Sequence, residues 1–94
     1  MMTIDEIKVV AMKALTDHLA PSIVANLLAF EEFDADGDPI LRFRVVIDSR
    51  SPDLLADQVL YATGVVRRAL ASVNEQRFPL LSFPSSDEMS GVAA

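Results

Sequence analysis

Leu27-Leu28-Ala29-Phe30-Glu31-Glu32-Phe33, then Asp34-Ala35-Asp36-Gly37-Asp38-Pro39, then Ile40-Leu41-Arg42-Phe43-Arg44-Val45-Val46-Ile47-Asp48 read together as one β-hairpin. Its flanks are rich in aliphatic, aromatic and β-branched residues, which suit a pleated, half-buried surface. Asp36-Gly37 is the turn signal, because a tight primed turn needs positive φ at its centre and glycine supplies it without steric penalty. A loop with an even number of residues centred on Asp36-Gly37 opposes Phe30 to Phe43, Leu28 to Val45 and Glu31 to Arg42. Side chains alternate across a strand, so this register predicts a buried face of Leu28, Phe30, Leu41, Phe43, Val45 and Ile47. The other face then carries Leu27, Ala29, Glu31 and Phe33 with Ile40, Arg42, Arg44 and Val46.

On the amino-terminal side, Thr3 and Glu6 have capping-box spacing, and Ile4, Ile7, Val10, Ala11, Ala14, Leu15 and His18 recur at helical intervals until Pro21. A helix over about 4–19 follows. On the other side, Ser51-Pro52-Asp53 has the chemistry of a second helix start: a capping hydroxyl, a ring with its φ already set, and a carboxylate at the positive end of the dipole. That helix runs to about Asn74, with a buried stripe of Leu55, Val59, Ala62, Val66, Ala69, Leu70 and Val73. Gly64 lies inside it, which points either to close approach of another backbone or to simple local weakness.

Phe78-Pro79-Leu80-Leu81-Ser82-Phe83 reads as a third strand, and Pro79, lacking an amide donor, puts it at a sheet edge. Residues 85–94 show no periodic pattern and are expected to form a flexible tail behind a single domain of residues 1–84. The order is αββαβ. It predicts an α+β two-layer sandwich, a hairpin plus one edge strand with both helices on one sheet face.

The chain has 94 residues, no cysteine, and fourteen acidic against eight basic residues for a net charge of −6. Disulfides, thiolate metal sites and thiol catalysis are thereby excluded, and the acidic balance opposes binding to nucleic-acid phosphates. The Met1-Met2-Thr3-Ile4-Asp5-Glu6 opening lacks the features of an export signal, and no stretch approaches the roughly 20 apolar residues needed to cross a bilayer. The expected setting is the cytoplasm, away from membranes.

The same residues offer little catalytic chemistry. Asp34, Asp36 and Asp38 alternate as calcium ligands do, but counting from Asp34 puts Pro39 where an EF-hand loop needs its glycine and Val45 where it needs its bidentate glutamate. His18 stands alone, with no nucleophile motif beside it. The three glycines, Gly37, Gly64 and Gly91, assemble no phosphate-cradling loop. No cofactor, metal or catalytic residue is therefore expected. The arginines are better suited to recognition: Arg42 has Glu31 as its expected cross-strand partner, whereas Arg44, opposite Ala29, has none and is the better candidate for contacting another molecule. A sheet face that mixes these charges with apolar residues is expected to be covered by a partner or a second copy, through Phe33, Ile40, Arg42, Arg44 and Val46.

Asp36-Gly37-Asp38-Pro39-Ile40-Leu41-Arg42-Phe43-Arg44-Val45-Val46, Arg77-Phe78-Pro79-Leu80-Leu81-Ser82-Phe83 and the Thr3-Ile4-Asp5-Glu6-Ile7-Lys8 opening resemble a group of small prokaryotic αββαβ proteins encoded beside HEPN-type helical proteins. The similarity spans most of residues 3–83. It implies a non-enzymatic protein-binding subunit, the antitoxin-like neutralising partner of a helical HEPN-type protein. The alternative reading of the residues is a homodimeric structural or scaffolding domain.

Overall fold

Thr3 starts the fold as the sequence requires. Its Oγ1 accepts from the Glu6 amide at 3.2 Å while the Glu6 carboxylate accepts from the Thr3 amide at 3.0 Å, so two amides that the helix leaves without partners are satisfied reciprocally. In the computed structural model, which describes residues 2–19, 23–48 and 56–87, this box opens α1 (Ile4–His18). There follow β1 (Val24–Phe33), β2 (Pro39–Ile47), α2 (Ala56–Ser72) and β3 (Phe78–Ser82). The expected Ser51-Pro52-Asp53 helix start, and the tail beyond Asp87, lie outside the described residues.

The sheet order is β1-β2-β3, with β1 antiparallel and β3 parallel to β2. A parallel neighbour needs a long crossover, and α2 supplies it. The two helices pack on one face of the sheet: α1 lies against β1 and α2, and α2 against β3. The chain is thus an α+β domain of αββαβ order. Pro79 sits in β3 at the sheet edge, as its missing donor demands. The strand line continues past Pro84, for Ser85 pairs with Ile47 and the Ile47 amide donates to the Pro84 carbonyl at 2.8 Å. The first residue of the expected tail is therefore attached to the sheet.

The hairpin register differs by one residue from the sequence expectation. Phe30 opposes Arg42, Leu28 opposes Arg44, Ala29 opposes Phe43 and Leu27 opposes Val45. The cause is the turn. Gly37 has a φ of 84° while Asp36 does not have positive φ, so the loop is not the primed turn, which needs positive φ at both central positions. Instead the Gly37 amide donates to the Asp34 carbonyl at 3.0 Å and the Asp34 amide to the Asp38 carbonyl at 2.9 Å. This is a type I turn followed by a left-handed glycine, an odd-numbered loop. Asp34 selects it, because its Oδ1 accepts from the Asp36 and Asp38 amides at 2.9 Å each.

A one-residue slip moves every β1 side chain to the opposite face. Leu27 is buried at 1% exposure and Ala29 packs against the core, while Leu28 and Phe30, expected inside, face away from the helices. The core joins Leu27, Leu41, Phe43 and Val45 of the sheet to Ile7, Ala11 and Leu15 of α1 and to Ala62, Val66 and Leu70 of α2, with Phe83 packed at its margin. Expected stripe positions Leu55 and Val59 lie outside what is described, and Val73 is exposed.

α2 ends at Ser72 and is closed by Asn74, whose φ of 62° turns the chain into the left-handed region. The Glu75 amide reaches the Leu70 carbonyl at 2.9 Å and the Asn74 amide the Ala71 carbonyl at 3.1 Å, the bond pair of a Schellman cap. Among the described residues no backbone closes on Gly64. A Cβ there would meet only the tip of Arg68 at 3.5 Å, so of the two readings it is local weakness that applies.

Candidate functional site: the open sheet face

Alternation from the observed register places Leu28, Phe30 and Glu32 of β1, Ile40, Arg42, Arg44 and Val46 of β2, and Phe78, Leu80 and Ser82 of β3 on the face turned away from the helices. Phe30, Phe78 and Leu80 are 40%, 47% and 37% exposed. Three charged side chains, Glu32, Arg42 and Arg44, sit among them, and Arg67 of α2 lies over the Phe78 ring, 5.0 Å from its centroid. The Arg42 Nε donates to Glu32 Oε1 at 2.9 Å, a half-exposed ion pair. Arg44 has no carboxylate partner among the described residues, and its guanidinium lies over the Phe30 ring, 5.5 Å from the centroid.

Four of the five expected contact residues, Ile40, Arg42, Arg44 and Val46, share this face. Ile40 and Val46 are nevertheless buried at 6% and 5% exposure, so they support the surface more than they present it. Phe33 belongs to the other face by the corrected register, although it is widely exposed at the end of the hairpin. The expected Glu31–Arg42 pair is replaced by Glu32–Arg42 for the same reason. Phe78 and Leu80 are additions. The period-two alternation in Phe78-Pro79-Leu80-Leu81 carried that signal, and only the strand's pairing with β2 tells which face they join.

A second polar cluster ties the α2–β3 turn to the hairpin. Arg77 donates through Nε and Nη2 to the two Glu75 carboxylate oxygens at 2.9 and 3.0 Å, through its own amide to Glu75 at 3.1 Å, and through Nη1 to Glu31 at 2.9 Å. The Arg77 and Glu75 side chains are 11% and 7% exposed. Hydrogen bonds from Arg77 hold the Glu75 carboxyl below its ordinary range, against the opposing effect of burial, and the bonds to Glu75 in turn raise Arg77. Surface clefts of about 610 and 430 Å³ flank this turn. Glu75 is made a firmer anion there, the reverse of what a general acid needs. The sequence reading missed this cluster because Glu31 and Arg77 stand 46 residues apart.

His18 closes α1 with its ring edge-on to Tyr61, centroids 4.3 Å apart, and Arg68 stands over the other partner, Tyr61, at 5.8 Å. In the Asp34-Asp36-Asp38 loop the Asp34 carboxylate is occupied with bracing its own turn, and among the described residues no group of three or more histidines and carboxylates is placed to hold a metal ion. Likewise, among the described residues no helix is long and apolar enough to cross a membrane. No family model matches this chain, and neither the curated proteins nor the solved structures compared with it give a match.

Proposed function

We propose that this chain is a non-enzymatic protein-binding subunit of the cytoplasm that docks its partner on the open sheet face. The observation that carries this reading is Arg44: a guanidinium without a carboxylate partner among the described residues, seated on Phe30 in a field of exposed apolar side chains. With Arg42 neutralised by Glu32, Arg44 is the strand-borne arginine of this face left without a carboxylate among the described residues, inside an apolar surround. Its complement is an apolar patch bearing a carboxylate. Aromatic and arginine side chains are the residue types on which interfaces concentrate their binding energy.

The chain carries a net charge of −6, which steers approach toward a partner of opposite net charge and leaves Arg44 to fix the docked pose. The resemblance of the hairpin and the Arg77–Phe83 stretch to proteins encoded beside HEPN-type helical proteins supplies the partner class. The chain would neutralise such a helical protein by covering its functional surface. Affinity capture of the full chain together with the product of the adjacent gene tests this. A stoichiometric complex that Arg44→Glu abolishes, with the circular dichroism and melting of the variant unchanged, is expected. A complex indifferent to Arg44→Glu, or no complex between the two co-expressed proteins, overturns it.

A further inference from the structure

The two edges of the sheet are built differently. β3 is short, spans five residues and contains Pro79, so its outer edge is brief and lacks a donor at that position. These are the usual means by which a sheet edge is blunted against pairing. β1 has none of them over most of its length: it spans ten residues with no proline, glycine, lysine or arginine, and its one irregularity is a bulge between Val24 and Asn26 at its start. Among the described residues no strand lies along its outer side.

The polarity of that edge follows from the hairpin end. The Asp34 amide bonds the Asp38 carbonyl across the ladder, so the even-numbered residues of β1 turn their amides and carbonyls toward β2. Leu27, Ala29, Glu31 and Phe33 turn theirs outward. The Leu27 amide agrees, for it donates at 2.8 Å to the side chain of Asn26 and thus to its own strand. Apart from that Leu27 amide, held by the neighbouring Asn26 side chain, the outward backbone groups of the eight regular residues 26–33 have no strand partner among the described residues and form a ladder that matches itself.

We propose that β1 pairs antiparallel with β1 of a second copy of this chain about a two-fold axis at Ala29, joining two three-stranded sheets into one of six. In this register Ala29 faces its own copy through two backbone hydrogen bonds, and Leu27 faces Glu31 through the next set, its amide exchanging the Asn26 side chain for the Glu31 carbonyl of the second copy. On the open side, Phe30 stands opposite Leu28 of the second copy, and the uncharged Asn26 opposite Glu32. Charge selects this arrangement. Glu31 and Glu32 are the only ionised residues of β1, and antiparallel pairing about Ala29 carries each copy's pair to opposite ends of the interface, whereas parallel pairing would stack them like on like. The isologous edge is separate from the docking face: it uses outward backbone groups, and it would place two open faces side by side in one continuous surface.

Sedimentation equilibrium of the full chain, with Ala29→Pro as the variant, tests the pairing. Proline at position 29 removes only an outward amide and no bond to β2, so the fold is kept while the two bonds at the axis are lost. The expected result is a species of twice the 10.2 kDa chain mass at tens of micromolar, with association weakened at least tenfold in Ala29→Pro. Amide hydrogen exchange of the unaltered chain is the second readout, independent of whether the variant folds. Ala29 and Glu31 amides slow at high concentration and speed up on dilution, while those of Leu28 and Phe30 stay protected throughout. A monomer at millimolar concentration, a dimer that survives Ala29→Pro with native circular dichroism, or a dimer whose Ala29 and Glu31 amides exchange freely would each overturn the proposal. None of these outcomes touches Arg44, so the docking reading stands or falls separately.

Discussion

Glu75→Gln isolates the link between the α2–β3 turn and the rest of the fold. The substitution keeps the size of the side chain and one acceptor oxygen, but it sets an NH2 group against an Arg77 donor where the carboxylate now accepts at 2.9 and 3.0 Å. Hydrogen bonds to charged groups contribute about 1.5–3 kcal/mol, and the 7% and 11% exposures of Glu75 and Arg77 leave little room for water to replace the lost partner. Arg77 keeps Glu31, whose side chain is 57% exposed, so its charge is not abandoned. The expected cost is about 2 kcal/mol, a fall in the urea midpoint of roughly 2 M for a small domain with a slope near 1 kcal/mol/M. Glu31→Gln, acting on the exposed side of the same guanidinium, costs about 0.5 kcal/mol.

Acid separates an ionic cause from a steric one. Arg77 holds the Glu75 carboxyl below its ordinary 4.5, so the stabilisation is complete above that value and disappears as pH falls through the depressed value of the folded state. Glu75→Gln carries no such dependence, and the stability curves of the two proteins should converge in strong acid. A variant within about 0.5 kcal/mol of the parent at neutral pH would show that the cluster behaves as an ordinary surface ion pair. A gap that persists undiminished in acid would show that shape, not charge, was lost.

Five further substitutions test the backbone and the register. Gly64→Ala should raise stability by about 0.5–1 kcal/mol in thermal or urea unfolding, since the added methyl meets only the flexible end of Arg68 and removes the entropy cost of a helical glycine. Asn74→Val should cost about 1–2 kcal/mol and Asn74→Gly nothing, because a β-branched side chain resists the φ of 62° that the cap of α2 requires. Leu27→Ala should cost about 2–5 kcal/mol, and Leu28→Ala under half as much, because the first side chain is in the core and the second on the open face. Equal costs, or the reverse order, would restore the register expected from the sequence.

What was legible in the chain was local. Thr3 and Glu6 are three residues apart and form their box without help from the rest of the molecule, and Pro79 excludes itself from the middle of a sheet wherever the strand lies. The element order followed from such signals. The hairpin register did not, because Asp-Gly serves two turns equally well: glycine can be the second centre of a primed turn or the left-handed residue closing a type I turn. Asp34 decides between them through its two backbone bonds, and its influence is visible only once the carboxylate is seen to reach Asp36 and Asp38. Gly64 could be read two ways for a related reason, since the space above a helical glycine depends on tertiary packing.

The turn then settles how the two adjacent carboxylates are used. Glu31 and Glu32 point to opposite faces of β1, and the observed register gives Glu32 to Arg42 on the open side and Glu31 to Arg77 on the helix side. Had the loop been even-numbered, Glu31 would have met Arg42, Arg77 would have lost its second carboxylate, and Phe30 would have turned inward, away from Arg44. The odd loop instead delivers Phe30 beneath the Arg44 guanidinium and leaves Leu27 to fill the core. The docking face and the anchoring of the α2–β3 turn are thus consequences of one choice of turn, made by the side chain of Asp34 and the φ of Gly37.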